Sequence, residues 1–162
     1  MTATPVDLTF RPMASQADAE AFRTLNEEWI ASLFRIEEKD RITLGDPQGQ
    51  ILAHGGQVYI AEDNGAIVGT VALVRYSEGT YELSKMAVSP ATRGQGIGRR
   101  LLAYVIEEAK ALNAHTLFLG SSTKLKNAIH LYESLGFRHV PPAELPEMKY
   151  ARADVFMKMD LR

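Results

Sequence analysis

Apolar side chains recur along this chain in two rhythms. Short blocks rich in Val, Ile, Leu and Tyr predict strands over 57–62, 66–76 and Thr80–Val88, divided by the turn sequences Asp63-Asn64-Gly65 and Ser77-Glu78-Gly79. Asn-Gly after an acidic residue is a strong hairpin signal, and such short connections imply an antiparallel meander. A further short strand over 6–11 is closed by Pro12. Elsewhere the spacing is helical. Phe22, Leu25, Trp29 and Leu33 follow Ser15 and Asp18, a pair related to the capping box, and this stripe is expected to pack in the core. A shorter polar helix over 37–44 ends at Gly45-Asp46-Pro47. Ile97, Leu101, Val105 and Ala109 are four apart within a helix over 96–112, and Leu125, Ala128, Ile129 and Tyr132 share a stripe over 125–135, capped by Gly136.

The strand over 116–119 follows a strand and a crossover helix, so it should lie parallel to Thr80–Val88. Strands over 137–140 and 150–159 complete the sheet. The predicted class is α+β: a mixed, mostly antiparallel sheet of about seven strands with about four helices on both faces. No internal repeat, low-complexity tract or linker interrupts 1–162, which reads as a single domain.

Composition narrows the function. The chain has 162 residues, 46% hydrophobic and 23% charged, with a net charge of -2, which gives no global signal for nucleic acid or an anionic membrane surface. It has no cysteine, which removes disulfides, thiolate metal sites and a cysteine nucleophile and is compatible with a reducing cytoplasm. No apolar run approaches the roughly 18 residues of a membrane span. The N-terminal residues lack the pattern of a signal peptide. His54, His115, His130 and His139 have no metal-ligand spacing, so no metal is expected.

The candidate chemistry begins at Arg93-Gly94-Gln95-Gly96-Ile97-Gly98, between a strand and the long helix. Closely spaced glycines at a helix N-terminus bring bare N–H groups together, a fitting site for a phosphate or pyrophosphate. A tight turn that merely needs glycine dihedrals is the competing reading. The Walker spacing is absent, and the dinucleotide fingerprint fails because Arg99 stands where its last glycine belongs.

Read together, Glu82-Leu83-Ser84-Lys85-Met86-Ala87-Val88, then Arg93-x-x-Gly96-x-Gly98, then Ala128-Ile129-His130-Leu131-Tyr132-x-x-x-Gly136-Phe137 resemble the GNAT superfamily of N-acetyltransferases. The resemblance runs through the element order from Val6 to Met159. It implies an acyltransferase that moves an acetyl group from acetyl-coenzyme A directly to a primary amine. It also implies a cleft between splayed fourth and fifth strands, with Met86, Ala87 and Val88 pairing with pantetheine. Gly94 to Arg99 (Gly94, Gln95, Gly96, Ile97, Gly98 and Arg99), with Arg93, would hold the pyrophosphate. Many members carry asparagine where this chain has Leu125; Asn127 or Ser122 are the stand-ins nearby. Dimers are common in the family, so a homodimer is expected by analogy. A non-catalytic domain that binds or senses acyl-CoA is the alternative on the same scaffold.

The reaction needs a neutral amine. A lysine-like amine is only about 0.04% neutral at pH 7 and an α-amine about 14%, so a base matters. Glu82, in a mainly apolar strand, should have a raised pKa and is the expected base, against a plain reading as a solvent-facing residue or a partner of Lys85. Tyr132 is the expected acid at the leaving thiolate, against a role as a core tyrosine. The Val88 N–H is the expected oxyanion donor. With no cysteine for an acetyl-enzyme, transfer should be direct. The acceptor, a small-molecule or peptide amine, is expected against Trp29, Phe34, Glu37 and Tyr150, where nearby acids would favour a cation.

Overall fold

A computed structural model describes residues 7–92, 94–146 and 151–161. In chain order they form β1 (Leu8–Pro12), α1 (Gln16–Leu33), α2 (Glu38–Gly45), α3 (Pro47–Gln50), β2 (Gln57–Asp63), β3 (Ala66–Ser77), β4 (Thr80–Val88), α4 (Ile97–Ala111), β5 (Thr116–Ser121), α5 (Lys126–Ser134), β6 (Arg138–His139) and β7 (Val155–Asp160). The strands make one sheet in the order β1-β2-β3-β4-β5-β7-β6. Every adjacent pair is antiparallel except β4 with β5. The class expected from the sequence is therefore the one found, with α3 adding a fifth helix.

Local chemistry explains the boundaries. Asn64 and Gly65 take φ 51° and 84°, the positive values a two-residue hairpin turn requires. Ser15 Oγ accepts from Asp18 N–H at 3.2 Å, and the Asp18 carboxylate accepts from Ser15 N–H at 3.1 Å, completing the capping box at α1. Pro12 ends β1 on the outer edge of the sheet, where a missing N–H costs no ladder bond.

Alternation within the strands builds a core on each face. Tyr59, Ala61, Val71 and Leu73 pack with Leu101, Leu102 and Val105 of α4. Val58 and Ala72, in opposite phase, pack with Phe22, Ile30 and Leu44 of α1 and α2. Fully burying one such aliphatic side chain contributes about 1.5–3 kcal/mol, so the two layers clamp the sheet that carries the cleft.

Two expectations are corrected. The buried ridge of α1 is Asp18, Phe22, Asn26 and Ile30, not the stripe ending at Leu33, which is 46% exposed. Asn26 is admitted because its Nδ2 donates to Phe22 O at 2.9 Å and its Oδ1 accepts from Trp29 Nε1 at 3.0 Å. The last strand begins at Val155 rather than 150, directly after Asp154. Its N–H donates to Ser121 O at 2.9 Å while its carboxylate accepts from Thr123 N–H at 2.9 Å.

Candidate active site

The parallel strands β4 and β5 pair only at Thr80–Thr116, Tyr81–Leu117 and Glu82–Phe118. Beyond that, β4 continues along β3 to Val88 and β5 along β7 to Ser121, so two backbone edges diverge inside the sheet. An irregularity in β4 accompanies the divergence. Thr70 faces Ala87 but Ala72 faces Ser84, so Lys85 and Met86 together oppose Val71. Lys85 takes φ 54°, uncommon for a residue with a side chain. A bulge of this kind bends its strand and sharpens its twist. The result is a cleft of about 760 Å³.

One end of the cleft is the glycine turn. Gly94 and Gly96 have φ 83° and 74°. A Cβ on either would meet nothing within 4 Å, so the need for glycine there is dihedral and not spatial. Gly96 is the N-cap of α4 and has no side-chain capping bond. The first helical bond runs from Arg100 N–H to Gly96 O at 3.2 Å. The N–H groups of Ile97, Gly98 and Arg99 therefore have no helix carbonyl to donate to, and all three residues line the cleft. Arg99 Nη1 donates to Ser134 Oγ at 2.6 Å on α5. Gln95 belongs to the turn but does not line the cleft, and Arg93 lies outside the described residues.

Met86, Ala87 and Val88 line the cleft, as do Leu125, Asn127 and Ser122. Glu82 and Tyr132 line the same cleft. Burial drives the Glu82 carboxyl above its ordinary value, opposed by the charges of Lys39 and Lys85. Tyr132 is 9% exposed, and burial pushes its phenol up to about 12. Its ring meets Phe137 edge-on at 5.9 Å.

The far end differs from the sequence expectation. Trp29 lines the cleft, while Phe34 sits behind it, edge-on at 6.3 Å with Lys124 Nζ 5.1 Å from its ring centre. Glu37 is not among the lining residues, and its Oε2 accepts from Arg152 Nη1 at 3.2 Å. Tyr150 lies outside the described residues. The acids expected to draw a cationic acceptor are thus engaged within the protein.

Behind this end lies a feature the sequence reading missed. Asp40, fully buried, accepts from Lys85 Nζ at 2.5 Å and from Arg152 Nη1 and Nη2 at 2.8 and 2.7 Å. Burial alone would raise the Asp40 carboxyl; the hydrogen bonds from Arg152 and Lys85 outweigh it and hold the group at about 2. Burial pushes the Lys85 ammonium down from its usual range, against the opposing pull of Asp40. The available signal was phase: strict alternation from the buried Tyr81 and Leu83 would put a lysine, Lys85, in an inward slot.

Among the described lining residues, Lys85, Arg99, Lys124, Lys126 and Arg152 are basic and Glu82 alone is acidic. Positive walls, unshared helix N–H groups and an open strand edge suit an extended ligand carrying phosphates, as acetyl-coenzyme A does.

Comparison with known proteins agrees. The acetyltransferase (GNAT) domain model matches residues 54–139. The uncharacterized N-acetyltransferase YjgM of Escherichia coli K12 is 35% identical over 106 residues, covering 60% of this chain and 64% of that protein. The chain spans less than two thirds of the length of the curated relatives it matches first. A GNAT-family acetyltransferase structure from Staphylococcus aureus Mu50 superimposes with a TM-score of 0.86 at 26% identity, covering 96% of this chain and 99% of that one. The Salmonella typhimurium acetyltransferase YncA, solved with acetyl-CoA, gives 0.73 at 25% identity over 96% of this chain and 94% of that one. With its splayed parallel strands, its glycine turn and a family match across more than half its length, this chain belongs to the GNAT acetyltransferase family.

Proposed function

We propose that this protein is an N-acetyltransferase that moves an acetyl group from acetyl-CoA directly to a primary amine. The observation that carries the reading is the early end of the β4/β5 ladder at Glu82 and Phe118, which leaves an extended edge leading to the helix N–H groups of Ile97, Gly98 and Arg99. Met86 and Val88 pair with the pantetheine arm, and the turn from Gly94 to Arg99 holds the diphosphate. Bound acetyl-CoA supplies the activated acyl carbon.

The chain's own groups manage the protons. Glu82 takes a proton from the acceptor ammonium, directly or through one water, so that nitrogen has a free pair. The Val88 N–H donates to the acyl oxygen as charge gathers on it. As the carbonyl–nitrogen bond forms and the carbonyl–sulfur bond breaks, Tyr132 gives its proton to the departing sulfur, and the second proton of the attacking nitrogen leaves to solvent, from which Tyr132 regains one. The acceptor, a small-molecule or peptide amine, enters past Trp29. A cytoplasmic setting belongs to the same reading, and the cysteine-free sequence is compatible with it.

An amine panel that follows free thiol release tests this. Turnover with at least one amine supports it, with Glu82→Gln lowering the rate at least about tenfold. Uptake of acetyl-CoA without thiol release from any amine would favour a binding or sensing domain. A second test is Gly96→Val. A β-branched residue at φ 74° is strained, so acetyl-CoA should bind about tenfold more weakly by calorimetry while the circular-dichroism spectrum stays the same. Unchanged affinity would sever the turn from ligand binding.

A further inference from the structure

We propose that Lys85 is a positioning residue, tethered by Asp40 at the cleft floor so that its ammonium favours the ionised, proton-accepting form of Glu82. The inference rests on Glu82 being the base. Lys85 and Glu82 are three residues apart on β4 and line the same cleft. Regular alternation would carry Lys85 to the face of Tyr81 and Leu83, into the core against α4. The bulge, with φ 54° at Lys85, turns it instead to Asp40 on α2, 2.5 Å away.

That arrangement is costly. A strained non-glycine residue and a buried ion pair both reduce stability relative to apolar packing, and such features collect at functional sites. The chain of charges has a direction. Arg152 bonds Asp40 and Glu37, keeping Asp40 ionised, and Asp40 fixes Lys85 in the cleft that Glu82 also lines. Other groups around Glu82 do not duplicate it on the sheet. Val74 flanks it from β3 and Phe118 from β5, both uncharged. Lys39 of α2 contributes a second positive charge, and Tyr132 of α5 lines the same cleft in its neutral form. Around Lys85 the charged groups include Asp40, Arg152 and Glu82. Burial drives Glu82 toward its neutral form, and the charges of Lys39 and Lys85 oppose this.

The test is a carbon-13 NMR titration of glutamate side chains, with Glu82 assigned through Glu82→Gln. In Lys85→Gln, which can still hydrogen-bond Asp40, the Glu82 midpoint should rise by about one pH unit, while Lys85→Arg should keep the wild-type midpoint. Should Lys85→Gln not fold, Lys85→Met carries the same measurement. An unmoved midpoint in the neutral variant overturns the proposal, as does a raised one in Lys85→Arg. The acidic limb of kcat/KM should shift with the midpoint; a uniform fall in rate with no shift would mark a structural role only and also overturn it. The titration needs no turnover, so its result stands apart from the thiol-release assay that decides the transferase reading.

Discussion

Asp40→Ala is expected to lower the free energy of unfolding by roughly 3–5 kcal/mol, the cost of leaving buried charge without its counterion. Asp40 is wholly buried, and two cations converge on it, Lys85 at 3% and Arg152 at 13% side-chain exposure. Without the carboxylate, Lys85 must shed its proton or drag water inward. Such a loss is roughly a fifth or more of the usual 5–15 kcal/mol margin of a domain. Urea unfolding measures it. Glu38→Ala is the control: its 3.4 Å contact with Arg41 is exposed on both sides and should move stability by less than about 1 kcal/mol. The same group gives acid sensitivity. Its folded value of about 2 lies below the ordinary 3.8, so its contribution is complete above the ordinary value and fades as pH falls toward 2. Equal stability for both variants would mean that the network carries no net weight.

Tyr132→Phe should cut turnover at least about tenfold while leaving the unfolding temperature and the KM for acetyl-CoA close to wild type. The substitution removes one oxygen and keeps the ring against Phe137. With its phenol at about 12, Tyr132 stays protonated throughout the neutral range and can donate at every working pH. A basic limb in the rate profile below pH 10 would then belong to another group. Undiminished turnover in the phenylalanine variant would return Tyr132 to the hydrophobic core.

Much of the architecture was legible because local chemistry decided it. The Asn64-Gly65 hairpin, the Ser15–Asp18 cap and the four-residue spacing from Ile97 to Ala109 each fix an element without help from distant residues. Periodicity was less able to choose between adjacent ridges of α1, where spacings of three and four compete. It took Leu33 for core and passed over Asn26, whose burial depends on a bond to Trp29.

The cleft followed from the family resemblance, but its charge did not. Asp40 and Arg152 are 112 residues apart, and no local pattern announces their pairing. The bulge at Lys85 had only a lysine in an inward slot to betray it. The pairing of Glu37 was hidden for the same reason, since its partner Arg152 comes from the other end of the chain.

The diverging strands also bear on solubility. A bare strand edge on the outside of a sheet invites neighbouring molecules to add themselves and start aggregates. Here the unpaired peptide groups of β4 and β5 face each other inside the sheet, across a slot lined by residues of α1 and α5 and away from the outer edges where another folded molecule could add a strand. Only something as slender as a single extended filament can reach them. The fold thus keeps a sticky surface in reserve for small guests while hiding it from its own kind.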